Sequence, residues 1–186
     1  MAIEPIVIGG IPVPDSRPVF LAVLGVHVLA GTVCVIAGAT AAFFRKRRGP
    51  HPRAGRVYYL SFIVVFVSLA TLSVLRWPAN THLLIIGTIA FAAAAVGVLA
   101  RRRRGWNWPR VHGAFMGVSY IGLLTGFYVD NGPNLPLWRE LPPASFWVLP
   151  TIVGVPVVLI ALRRNASSRS ASSGSRRDPS RPPRPE

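Results

Sequence analysis

Residues 19–44 read VFLAVLGVHVLAGTVCVIAGATAAFF, and the next four residues, 45–48, read RKRR. The longer run contains no Asp, Glu, Lys or Arg, which is the composition of a segment buried in hydrocarbon. A helix needs about 20 consecutive apolar residues to cross the ~30 Å hydrocarbon core of a bilayer. The stretch therefore predicts a transmembrane helix that ends at a cluster of cations.

Four further apolar runs follow, at residues 57–75, 83–100, 111–129 and 146–162. The whole chain is 51% hydrophobic and 15% charged, whereas soluble domains carry about 25% charged residues. We therefore predict an all-α fold, a polytopic membrane helical bundle with five transmembrane helices in residues 19–162. Pro150 and Pro156 both lie in the fifth run, and Pro156 predicts a kink because proline removes a backbone donor from a helix interior.

The positions of the cations predict the orientation of these spans. The 186 residues include 21 Lys and Arg against 6 Asp and Glu, for a formal net charge of +15. All the cations except Arg17, Arg76 and Arg139 lie in the segments that follow spans one, three and five. Because such loops stay in the cytoplasm, we expect the N-terminus outside and the C-terminus inside the cytoplasmic membrane of a prokaryote. The partner implied by this charge is the lipid bilayer, and no nucleic-acid partner is expected.

The two ends of the chain differ in composition. Residues 1–18 are mostly apolar and lack a basic cluster, so we expect a short extracytoplasmic segment and no cleaved signal peptide. Residues 163–186 are rich in Ser, Arg and Pro, which predicts a basic, disordered cytoplasmic tail. Two roles for the tail stay open: contact of its arginines with anionic lipid headgroups, or an orientation signal alone.

Small residues mark the helix faces that pack against other helices in lipid. In the first span they form one stripe with a histidine: His27, Gly31, Cys34, Gly38 and Ala41. The fourth span carries two GxxxG patterns on nearly opposite sides of the helix, Gly113 with Gly117 and Gly122 with Gly126. We therefore expect the fourth helix to be central in the bundle.

Each of the first four spans carries one histidine at or near membrane depth, and ionisable residues there are candidates for function. His27 lies 18 residues before Arg45 and His82 lies 19 before Arg101, so the two sit at nearly equal height and predict an outer pair. His51 and His112 open spans two and four and predict an inner pair. Counted from the starts of their apolar runs, the inner histidines differ in depth by about 7 to 10 Å, so the outer pair is the better ligand pair.

Histidines from two helices at each of two depths are typical of haem ligation in helical bundles. Because its histidines come from alternate helices at two depths, the core resembles the four-helix, di-haem transmembrane cytochromes that reduce ferric iron or monodehydroascorbate. The resemblance implies haem b as cofactor, with the outer pair binding one haem and the inner pair the other. Small residues beside the ligands, namely Gly31, Gly113 and Gly117, would let the flat macrocycle approach the backbone.

A second resemblance covers most of the membrane core. Its residues are 49–58, GPHPRAGRVY, then 112–120, HGAFMGVSY, then 127–132, FYVDNG, and 135–138, LPLW. On these blocks the chain resembles a prokaryotic family of predicted membrane proteins catalogued as a domain of unknown function. That family tends to have a basic residue where this chain has Pro52. The resemblance implies the membrane topology and supplies no reaction.

Several functions stay open on the sequence alone. The chain carries no complete catalytic motif, and an enzymatic role, if present, would be that of a membrane oxidoreductase. The sharpest hypothesis is a b-type haem electron carrier or reductase subunit. The alternatives are a non-catalytic scaffold or small permease component with structural histidines, and a proton- or metal-handling membrane protein. Asp130, next to the outer end of span four, is expected to be a turn-forming surface acid.

Overall fold

The computed structural model describes residues 6–8, 11–13, 15–44, 49–136 and 138–174. Within them the fold consists of five α-helices, a 3₁₀ turn at Gly132–Asn134 and one short hairpin. The helices are α1 Pro18–Phe43, α2 His51–Leu75, α3 Thr81–Arg103, α4 Trp108–Asn131 and α5 Pro143–Gly174. The hairpin pairs β1 Ile6–Ile8 with β2 Ile11–Val13 in antiparallel register. The prediction of a helical bundle is confirmed, and the hairpin is an addition to it.

Among the described residues, four helices are long and apolar enough to cross a membrane: α1, α2, α3 and residues 143–163 of α5. Their surfaces are apolar as a bilayer requires, and Leu29, Ile36 and Ile89 are all exposed. Helix α4 is less apolar because glycines and hydroxyl residues occupy many of its positions, including the buried Ser119 and Thr125.

Helices α1 and α2 form one antiparallel hairpin, and α3 and α4 form a second. Contacts of Gly97 with Met116 and of Gly122 with Ala90 join α3 to α4. On another face of α4, Gly117 packs against Val158 of α5. The prediction that α4 lies between other helices is therefore confirmed, because two of its glycines allow close approach on different sides.

The core of the bundle lies where α1, α2 and α3 meet. Its buried members are Cys34, Ala37, Tyr58, Phe62, Val65, Ala90 and Ala94. Phe91 of α3 lies among the aromatic rings of α2, with ring centroids 4.7 Å from Phe66 and 5.8 Å from Phe62. These contacts bring the two hairpins together.

The N-terminal hairpin packs onto the start of α1 and the end of α2. Val13 is buried with Phe20 of α1 and Leu72 of α2. Asp15 is only 2% exposed and accepts a hydrogen bond from Arg17 Nη2 at 2.6 Å. Arg17 also donates to the carbonyl oxygen of Leu75 at 3.3 Å. The segment predicted as extracytoplasmic, residues 1–18, thus includes a structured contact with the helices.

Helix α5 differs from its prediction at its C-terminal end. It continues to Gly174, so residues 163–174 are helical where the sequence predicts a disordered tail. The physical reason is that no proline or glycine occurs between Pro156 and Gly174, so nothing in that stretch interrupts the hydrogen-bond ladder. Residues 175–186, the rest of the predicted tail, lie outside the described part of the chain. Both Pro150 and Pro156 lie within the helix.

Candidate functional site

His51 is the first residue of α2, and its imidazole joins that helix to α1. Its Nδ1 lies 2.7 Å from the carbonyl oxygen of Ala41. A carbonyl can only accept, so Nδ1 carries the hydrogen and donates it. Ala41 is in the last turn of α1, where carbonyl oxygens lack a helical N–H partner. His51 therefore caps α1, and its Nε2 holds the lone pair whenever the ring is neutral.

His112 makes the equivalent contact in the second hairpin. Its Nδ1 donates to the carbonyl oxygen of Gly97 on α3 at 2.8 Å, and its ring lies near Trp108. Each hairpin thus has a histidine near the start of its second helix that donates to the first helix. The same tautomer follows, with the hydrogen on Nδ1 and the lone pair on Nε2.

The inner histidines lie in the same register on their helices. Tyr58 Oη of α2 and Ser119 Oγ of α4 form a buried hydrogen bond of 2.6 Å. Both helices run antiparallel to α3, so they are parallel to each other. His51 precedes Tyr58 by seven residues, and His112 precedes Ser119 by seven. The two histidines are thus equally spaced from this bond. Helix α2 begins six residues before its apolar run, so the start of that run does not mark the depth of His51.

His27 of α1 contacts α2 through a side chain. Its Nδ1 lies 2.9 Å from Ser68 Oγ, and that hydroxyl donates its one hydrogen to the carbonyl oxygen of Val64 at 2.7 Å. The same hydroxyl can instead donate to the imidazole, so this contact is compatible with either tautomer of His27. Of the four predicted ligands, His51 and His112 thus have Nδ1 on a carbonyl oxygen, which fixes the hydrogen on Nδ1.

His82 has a different environment from the other three. It is exposed near the start of α3, and its ring centroid lies 6.2 Å from that of Trp147 on α5. Electrostatic interactions connect Asp130 with His27, with His82 and with Arg76. His27 and His82 thus interact electrostatically with one carboxylate at the C-terminal end of α4.

Asp130 lies at the C-terminal end of α4 and is exposed, as the sequence predicts for a surface acid. It lies 11 residues after Ser119 and 18 after His112, spacings that place all three on one face of α4. Ser119 is fully buried on that face, whereas Asp130 lies beyond the buried part of the helix.

Glycines leave room near His27 and near Asp130. A Cβ added at Gly31, one turn after His27, would meet nothing within 4 Å, and the same holds at Gly126, one turn before Asp130. The glycines beside His112 do not have the predicted role. Gly113 and Gly117 instead face Leu162 and Val158 of α5, so they serve helix packing.

The middle of the bundle is occupied by bonded polar groups. Tyr120 Oη donates to the carbonyl oxygen of Val35 at 3.1 Å, and Cys34 Sγ donates to that of Tyr58 at 3.5 Å. In the part of the chain that the structure describes, no three His, Cys, Asp or Glu residues are arranged to hold a metal ion.

Comparison with protein-family models, with curated proteins and with solved structures finds no match for this chain.

Proposed function

We propose that this chain is a five-span integral membrane protein with its N-terminus outside and its C-terminus in the cytoplasm. Four helices have the necessary length and composition. The remaining span is α4, the fourth in chain order. Its contacts with α3 and α5 reduce the surface that it needs to expose to lipid. The distribution of cations supports the orientation and the cytoplasmic membrane of a prokaryote as the location.

Within that topology, we propose that the bundle of α1 to α4 binds b-type haem and carries electrons across the membrane. One observation supports this most: His51 and His112 occupy equal registers on two parallel helices, and each donates Nδ1–H to a backbone carbonyl. A metal-binding imidazole is commonly fixed in this way, with Nε2 left as the ligand atom. The inner pair, the weaker one on sequence grounds, thus has the better geometric support.

The outer pair would hold the second haem. Ser68 orients the His27 imidazole through its contact with Nδ1, and Gly31 leaves space one turn away. Bound haem would supply a one-electron redox centre at each end of the bundle. The chain itself would orient the imidazoles of His51 and His112 through their bonds to backbone carbonyls.

The test is a reduced-minus-oxidised visible spectrum with a pyridine haemochrome assay, on protein purified in detergent from haem-replete cells. Absence of a Soret or α-band change would refute the haem proposal. The informative variants are His51→Asn and His112→Asn, because asparagine Nδ2 can replace imidazole Nδ1 as donor while Nε2 is lost. We expect each to lose the inner haem signal and keep the helical circular dichroism of the wild type.

The matched control for the inner pair is His82→Asn, which should leave the inner signal and remove only the outer one. If all four single substitutions leave the spectrum intact, the ligand assignment is wrong even for a protein that contains haem. Loss of helicity in the asparagine variants together with an absent haem signal would support the alternative of a scaffold with structural histidines.

Proton handling is a second candidate function, favoured by the electrostatic cluster of Asp130 with His27, His82 and Arg76. A carboxylate beside two imidazoles can exchange protons near neutral pH. The test reconstitutes the protein in liposomes with an internal pH dye and imposes a pH gradient. This function would be supported if the wild type and Glu140→Gln conduct protons and Asp130→Asn does not. Equal proton flux in the wild type and both variants would refute it.

A further inference from the structure

A cleft of about 270 Å³ lies at the end of the α3–α4 hairpin that carries the arginines. Arg103 lines it from the last turn of α3, and Trp106, Asn107 and Trp108 line it from the connection to α4. Ala100 and Val111 form an apolar part of its wall, on the sides of the two helices. The cleft thus joins a cationic and aromatic rim to the apolar surface of the helices.

The charge around this cleft is of one sign. The residues of the last helical turn, Arg101, Arg102 and Arg103, are followed by Arg104 and, in α4, by Arg110. The sequence contains no Asp or Glu between Asp15 and Asp130. No neighbouring carboxylate along this part of the chain can neutralise the arginines, so the cleft attracts anions.

Backbone geometry holds the rim in place. Arg104 adopts a left-handed conformation with φ of 47°, which ends α3 and turns the chain at once toward Trp106. The N–H of Trp108 then donates to the carbonyl oxygen of Gly105 at 3.0 Å. One helical turn further into the bundle, the His112 bond to Gly97 fixes the two helices together.

The connection presents a tryptophan to its surroundings. Trp106 is 97% exposed, although an indole is a large apolar group. Tryptophan is enriched where helices meet the lipid headgroups, because its ring is apolar and its N–H can donate to polar groups there. An exposed indole beside an arginine-lined cleft is therefore suited to the interface of a bilayer.

We propose that this cleft binds the headgroup of an anionic phospholipid. Arg103 pairs with the phosphate, the Trp106 indole lies at the level of the glycerol backbone, and the acyl chains follow the apolar wall at Ala100 and Val111. The site rests on the proposed membrane topology, in which this end of the hairpin lies at the cytoplasmic leaflet, and it does not depend on haem. Basic pockets between helices on that side are suited to anionic headgroups.

The experiment is native mass spectrometry of the full-length protein in detergent, titrated with phosphatidylglycerol or with phosphatidylcholine of the same acyl chains. We expect phosphatidylglycerol to be retained preferentially. Arg103→Gln should weaken its retention about fivefold, the change expected for one arginine close to a headgroup. Trp106→Ala should also weaken retention, whereas the matched control Arg53→Gln, a cation in the first turn of α2, should not.

Three results would overturn the proposal. Equal retention of both lipids would show that the site does not select for charge. Equal losses in Arg103→Gln and Arg53→Gln would show that general surface charge, and not the cleft, attracts the lipid. Displacement of the lipid by glycerol 3-phosphate would show a site for soluble phosphate compounds. None of these measurements requires haem or a known orientation, so their failure is distinct from failure of the proposed function.

Discussion

Gly122 and Gly126 form one GxxxG pattern in α4, but the structure assigns them different surroundings. A Cβ added at Gly122 would lie 2.7 Å from Ala90 Cβ and 3.5 Å from Ala90 Cα. One added at Gly126 would meet nothing within 4 Å. We therefore expect Gly122→Ala and Gly126→Ala to change the free energy of unfolding with opposite signs.

The expected magnitudes follow from these distances. Non-bonded carbons prefer a separation of about 3.5 to 4.0 Å, so α3 and α4 would have to move apart by about 1 Å at Gly122. Such overpacking costs about 1 to 3 kcal/mol. Replacing a mid-helix glycine with alanine raises the free energy of unfolding by about 0.5 to 1 kcal/mol. Gly122→Ala should therefore destabilise the protein by roughly 0.5 to 2 kcal/mol, whereas Gly126→Ala should stabilise it by about 0.5 to 1 kcal/mol.

The assay is reversible unfolding in mixed micelles of detergent and SDS, followed by circular dichroism for the wild type and both variants. The shift in the free energy of unfolding gives the sign and size of each effect. The reasoning is refuted if Gly122→Ala proves as stable as Gly126→Ala, because the close approach of α4 to Ala90 would then not limit the packing.

Three further predictions concern buried polar contacts. Tyr58→Phe and Ser119→Ala should each destabilise the bundle, and a double-mutant cycle in the same assay should give a coupling of about 0.6 to 1.7 kcal/mol; zero coupling would mean that the hydrogen bond contributes nothing. The Arg17 guanidinium lowers the pKa of Asp15 below its ordinary 3.8. The pair therefore stabilises the hairpin above about pH 4, and this stabilisation is lost as the pH falls through the lower folded-state pKa. Protease resistance of residues 1–18 should follow this profile, and Asp15→Asn should remove the pH dependence. His51→Leu should cost about 0.5 to 1.5 kcal/mol by leaving the last turn of α1 without its donor, and His51→Asn should cost less, as thermal unfolding of the two variants can show.

Much of the helical core could be predicted because hydrophobic runs and cation clusters are local properties of the chain. Residues 19–44 match α1 Pro18–Phe43 to within a residue at each end. The starts of the other helices were less predictable, since polar residues such as His51 and Trp108 extend a helix beyond its apolar run. The N-terminal hairpin was missed because its packing depends on Leu72, a residue far away along the chain.

The sequence by itself determined the composition of the apolar helices, the segments that carry the cations and the presence of one histidine in or beside each of the first four apolar runs. It could do so because each of these depends on residues within about one helix of one another. Only the tertiary structure decided which atoms the histidines contact. His51 and His112 each donate to a carbonyl oxygen of the preceding helix, and His27 contacts Ser68 of α2. Such contacts depend on how helices pack against one another, which local sequence patterns leave open.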